Sequence, residues 1–148
     1  MKAVLIALTV MASQIGFAQG LANGSFEGNG LWKSDKSVVR GQYTVKTVIS
    51  GNSIEANYNR GEHGSYKWKF ETKQTQAGFF DVMSKGKKIG SGYCLEKVIV
   101  CHYEVSVPNL KLEETLTQEG TVLYRFGSKV EGVHTIAWQE KLNQATVK

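Results

Sequence analysis

Between residues 39 and 49 the chain alternates. Val39, Gly41, Tyr43, Val45, Thr47 and Ile49 fall on one side, with Arg40, Gln42, Thr44, Lys46 and Ser50 on the other. A period of two residues marks a strand with one buried face. Ser50-Gly51-Asn52-Ser53 then puts glycine at the first central position of a tight hairpin turn, and Ile54, Ala56 and Tyr58 resume the alternation. The same grammar returns in Tyr66, Trp68 and Phe70 against Lys67, Lys69 and Glu71, and in an apolar segment from Gly78 to Met83. Further strands are expected over 88–95, 98–107, 110–118, 121–129 and 133–142, separated by Pro108-Asn109, Glu119-Gly120 and Glu131-Gly132. With a weaker strand near 25–33, the total is about ten.

No segment sustains helical spacing, and the connections are too short for the crossovers that parallel strands need. The sheet is therefore a meander, and its apolar faces and open edges must be covered. The expected class is all-β: an antiparallel up-and-down β-barrel of about 8–10 strands, whose interior admits side chains or one small ligand. A β-sandwich is the alternative, because periodicity assigns faces but not strand order.

Residues 1–18 have the parts of a cleaved signal peptide: a basic start at Lys2, an apolar run from Ala3 to Ala12, and small residues at Gly16 and Ala18. Ser13 and Gln14 stop the run well short of the roughly 20 residues of a spanning helix. Cleavage after Ala18 would leave one domain over 19–148 and no transmembrane segment. The implied location is periplasmic or secreted, and the short signal with one lysine favours a bacterial source. In a eukaryotic secretory path Asn23-Gly24-Ser25 would be a glycosylation site. The formal charge of +5 falls to +4 without Lys2, which modestly favours an anionic surface or an acidic protein as partner. Cys94 and Cys101 are the only cysteines, and export predicts a disulfide between them. It would clip a hairpin whose turn, around Lys97-Val98, lacks glycine or asparagine.

Gly30-Leu31-Trp32 spells Gly-x-Trp on the first strand, ahead of the meander. This resembles the N-terminal signature of lipocalins and the wider calycin superfamily. The resemblance implies that the tryptophan closes one end of a barrel and packs beneath a basic residue from a late strand, with Arg125 as its counterpart. The chain departs from typical lipocalins in having about ten strands rather than eight and no evident helix after Leu142. It is also similar in layout to fatty-acid-binding and nitrobindin-like barrels, without the helical lid of the former or the glycine-rich haem signature of the latter.

No motif for a nucleophile with its base, a metal site or a phosphate loop is present. His63 sits in Arg60-Gly61-Glu62-His63-Gly64, an exposed loop, and His102 and His134 are isolated on strands. No catalytic residue, metal or cofactor is expected, and the chain reads as non-enzymatic. Glu114 shares a strand face with Leu110, Leu112 and Leu116, and Glu140 lies between Trp138 and Leu142 on its own face. A buried carboxylate needs a partner, and Arg125 or Lys69 is available. The pair is either a polar anchor in a ligand cavity or a structural ion pair. Tyrosines beside them would suit an amphipathic guest, offering apolar area with an orienting hydroxyl. The expected ligand-binding residues are Tyr43, Trp68, Tyr103, Glu114, Tyr124, Arg125, Trp138 and Glu140. The Tyr66 to Phe70 run puts its rings and lysines on opposite faces, so nucleic acid is not an expected partner. By fold analogy the expected function is an exported binding protein for a small apolar or amphipathic ligand. The alternative is an envelope or extracellular protein-interaction or inhibitor module, using loops 59–65 and 85–88.

Overall fold

A computed structural model describes residues 21–35, 40–95 and 99–146. The signal segment, Val39 and the Lys97-Val98 turn lie outside them. The described chain forms ten strands: β1 (Gly24–Ser34), β2 (Arg40–Ser50), β3 (Ser53–Asn59), β4 (Ser65–Gln76), β5 (Phe79–Ser84), β6 (Lys87–Leu95), β7 (Val100–Val107), β8 (Leu110–Glu119), β9 (Val122–Glu131) and β10 (His134–Gln144). A single 3-10 turn, Gly61–His63, joins β3 to β4. Each strand pairs antiparallel with its neighbours in sequence, and β1 pairs with β10 to close the barrel. Closure decides against the sandwich.

The turns follow local chemistry. Gly51 takes φ 57° in the β2–β3 hairpin, and Asn109 takes φ 65° after Pro108, a conformation asparagine tolerates better than most residues. The strand ends differ from the sequence expectation mainly at β4, which continues past the aromatic run to Gln76 in a polar stretch. Its pairing with β5 carries a register shift between Gln74 and Gln76, and β5 shifts against β6 between Val82 and Met83.

Inward-facing side chains sort into layers along the barrel axis. At one end Phe26, Ile49, Ile54, Leu116, Leu123 and Leu142 are fully buried. Each such apolar side chain contributes about 1.5–3 kcal/mol relative to exposure. The chain before β1 completes this end: Leu21 is buried, the Ala22 N–H donates to Gln118 Oε1 at 2.7 Å, and the Gly51 N–H donates to Asn23 Oδ1 at 2.9 Å. The Cys94–Cys101 disulfide joins directly opposed residues of β6 and β7. Toward the other end the same strands carry Leu112, Trp138 and Trp32 only partly buried. No helix among the described residues is long and apolar enough to cross a membrane.

Candidate functional site

Between the apolar end and the open end lies a charged layer. Arg125 on β9 is fully buried and faces two carboxylates, Glu114 on β8 and Glu140 on β10. Its Nη2 donates to both oxygens of Glu114, at 2.8 and 2.9 Å, and Nη1 donates to Thr47 Oγ1 at 2.9 Å. Nη1 also lies 3.1 Å from Glu140 Oε2, an ion pair without hydrogen-bond alignment. The Tyr43 hydroxyl donates to Glu140 Oε1 at 2.7 Å, the Tyr103 hydroxyl to Glu114 Oε2 at 2.5 Å, and the Trp138 indole N–H to Glu114 Oε1 at 3.1 Å. The Arg125 guanidinium carbon lies 5.9 Å from the centroid of the Tyr58 ring, within cation–π range.

One cation against two carboxylates gives the layer a formal charge of −1. Burial pushes the Glu140 carboxyl above its ordinary value; Arg125 opposes that shift, Glu114 adds to it, and the Tyr43 hydrogen bond opposes it. Burial also works against the Arg125 charge, but Glu114 and Glu140 outweigh it and hold the guanidinium above its usual range. Tyr43 and Tyr103 are pushed up by burial first and then by their carboxylate neighbours, so both remain hydroxyl donors.

Two glycines let this layer form. Gly30 on β1 lies between Tyr43 on β2 and Glu140 on β10 in register. A side-chain carbon at Gly30 would overlap the Tyr43 ring, so the missing side chain is what lets Tyr43 cross β1 to reach Glu140. Gly127 on β9 does the same between Trp138 and Glu114. Trp32 lies against Gly41 and Phe80 against Gly92, again direct cross-strand partners. Rings laid over glycines on the neighbouring strand occupy the wall rather than the lumen.

Above the charged floor the lumen stays hollow, with a cavity of about 460 Å³. Its walls are Trp32, Trp68, Trp138, Tyr58, Tyr66 and the aliphatic trio Leu110, Leu112 and Ile136. Tyr58 and Tyr66 stack with centroids 4.4 Å apart and planes 6° apart. The mouth carries Arg60, whose guanidinium sits 5.5 Å from the Tyr66 ring centroid, and Lys129, paired to Glu131 at 2.9 Å.

Of the eight side chains expected at a site, Tyr43, Trp68, Tyr103, Glu114, Arg125 and Trp138 line this cavity. Glu140 belongs to the floor through Tyr43 and Arg125. Tyr124 does not belong. It follows Leu123 and precedes Arg125, both buried inward, so alternation turns it out to a groove beside Leu31 and Phe126. Trp32 lines the open half of the cavity, and the Arg125 guanidinium is taken up by the carboxylate layer. The ion-paired cluster of Glu114, Arg125 and Glu140 thus also forms the floor beneath the cavity. Sequence reasoning missed Trp32, Tyr58, Tyr66, Leu112 and Ile136 as wall residues, although each shares the parity of an inward neighbour. Among the described residues no histidine lines the cavity, and no cluster of His, Cys, Asp or Glu is placed to hold a metal. His102 sits outside, with Nδ1 3.0 Å from Thr115 Oγ1.

Fold and geometry together define a class: a closed ten-stranded antiparallel barrel with an aromatic-walled cavity on a buried ionic floor. No protein-family model matches the chain, and no curated protein is similar to it in sequence. Among solved structures it is similar to the S-type phycobiliprotein lyase CPES from Guillardia theta, with a TM-score of 0.67 over 88% of this chain and 97% of that one, at 9% identity. At that identity the likeness is one of fold, and it fits the calycin-like barrel suggested by Gly30-Leu31-Trp32 and the meander. It also corrects the expectation of a non-enzymatic protein. A chain of this fold is a lyase, so a barrel without a familiar reaction motif is no ground for excluding catalysis.

Proposed function

We propose that this chain is an exported barrel that holds one small amphipathic molecule, with a flat aromatic or conjugated body, in the cavity above Arg125. The observation that carries this reading is the hollow itself: about 460 Å³ between tryptophan and tyrosine walls, over a floor of hydrogen-bonded charges. That volume is in the range of small-molecule pockets, and the lining has their usual composition, apolar with a few converging polar groups. A buried ionic layer is a poor choice for stability alone, because packed apolar residues in its place are often as stabilising or more so. Its position under an open cavity supports a role in orienting a guest. The disulfide is consistent with an oxidising compartment.

The chain has three tryptophans, and all three line the cavity, so their emission reports on it. Titration with 8-anilino-1-naphthalenesulfonate is expected to quench that emission saturably. Native mass spectrometry of protein from its own source is expected to show a bound guest. Unchanged emission together with a bare protein mass would count decisively against the reading. Comparing the mass of a guest recovered after incubation with the mass supplied shows whether the chain also transforms what it holds. Export belongs to the same proposal, and N-terminal sequencing of the secreted product is expected to begin at Gln19.

A further inference from the structure

We propose that the cavity selects a ligand with two different ends: a neutral hydrogen-bond acceptor, such as a ketone or amide carbonyl, at the buried end and an anionic group at the mouth. This rests on the binding reading above and makes it specific.

The first observation is which polar atoms lack partners. The Trp68 indole N–H and the Arg125 Nε–H are buried with no acceptor among the described residues, and both side chains line the cavity. Arg125 is fully buried. The acceptors around them are occupied: Glu114 takes Arg125, Tyr103 and Trp138, and Thr47 takes Arg125. Leaving a buried donor without a partner carries a desolvation penalty, and a ligand acceptor removes it. Glu140 Oε2 is also buried without a hydrogen bond, but it lies 3.1 Å from Arg125 Nη1 and Glu140 does not line the cavity, so the unmet groups on the cavity wall are donors.

The second observation is charge. Arg125, Glu114 and Glu140 sum to −1 in a layer with almost no access to water. A carboxylate or phosphate brought down to the floor would add a second uncompensated negative charge at low dielectric. The deep acceptor is therefore neutral. Among the described residues that line the mouth the sum reverses, since Arg60 and Lys129 outnumber Glu131. An anionic group stabilised there keeps most of its hydration and gains the field of the two cations. The stacked Tyr58 and Tyr66 rings fit a planar body between these ends.

A matched set of naphthalenes tests this by isothermal titration calorimetry. The ligand 6-acetyl-2-naphthoate carries both ends, 6-isopropyl-2-naphthoate replaces the ketone by an apolar group with the same number of heavy atoms, and 2-acetylnaphthalene lacks the anion. The acetyl acid is expected to bind about tenfold more tightly than the isopropyl acid, equivalent to ~1.4 kcal/mol. In Trp68→Phe, which keeps an aromatic wall but removes the N–H, that preference is expected to fall to about twofold or less. The advantage of the acid over 2-acetylnaphthalene is expected to shrink in Arg60→Gln/Lys129→Gln and in high salt. Equal affinities for the acetyl and isopropyl acids in the wild-type protein would overturn the buried acceptor, as would failure of all three naphthalenes while 8-anilino-1-naphthalenesulfonate still binds. Failure of that dye as well, on folded protein, would overturn the binding reading beneath it.

Discussion

The two ends of the barrel are made from the same strands by the same alternation, yet one is solid and the other hollow. Along β8 the inward side chains run Leu116, Glu114, Leu112, Leu110, passing from full burial through a charged layer to half-buried leucines. Along β10 they run Leu142, Glu140, Trp138, Ile136 in the same sense. Binary pattern alone does not distinguish the ends. The solid end has Leu21 and its neighbours folded across it, whereas the 3-10 turn at the mouth buries no residue. At the open end, rings are also laid over Gly41 and Gly127 on the wall. A hollow thus comes from where aromatic side chains lie, as well as from how many there are.

The contrast can be broken at the layer between the ends. Arg125→Leu leaves Glu114 and Glu140 buried without a counter-charge and is expected to cost about 3–5 kcal/mol in urea unfolding. A smaller effect separates the ends themselves. Leu116→Ala is expected to lose about 3 kcal/mol of stability with little effect on dye affinity. Leu112→Ala, two turns of the alternation nearer the mouth, is expected to lose about 1 kcal/mol or less while weakening dye binding. Equal stability losses would erase the distinction. Cys94→Ser probes the closed end through its covalent clip, with an expected loss of about 2 kcal/mol that reductant reproduces in the wild-type protein.

The smallest effect depends on pH. Glu140 has a raised folded value, because burial outweighs its partners, so the folded chain holds this proton more tightly than the unfolded chain. Stability from this group is fully present below its unfolded value and is lost as pH rises through its folded value. Glu140→Gln removes that loss while still accepting from Tyr43. Its stability relative to the wild-type protein is therefore expected to improve as pH rises from below the ordinary carboxyl value, 4.5, through the raised folded value, in paired urea titrations. A constant difference from below the ordinary carboxyl range upward would mean that Glu140 does not titrate differently in the two states.

Much of this architecture is legible in the sequence because period two is a strong signal and short turns force neighbours to pair. Tyr43, Val45, Thr47 and Ile49 are assigned inward from alternation, and all four are buried. Tyr124 and Arg125 could not both face the lumen of one regular strand, so that error was visible in parity alone. The glycines were harder to read. Gly30 and Gly127 look like weak points in strands, and only the register shows that each lies under a ring reaching a carboxylate on the next strand. The choice between ion pair and cavity floor also needed three dimensions, since it depends on where the open end begins.

Ten strands in a ring make nine pairings between sequence neighbours and one, β1 with β10, between the ends of the chain. The ionic layer straddles that last pairing: Tyr43 on β2 reaches Glu140 on β10, and Arg125 on β9 reaches Thr47 on β2. Before the ring closes, these groups keep their water. A one-residue slip of β10 would turn Glu140 outward and bring Gln139 or Lys141 in. Only one alignment lets the carboxylate enter together with its hydroxyl and its cation, so the charged layer dictates the register at which the two ends of the chain meet.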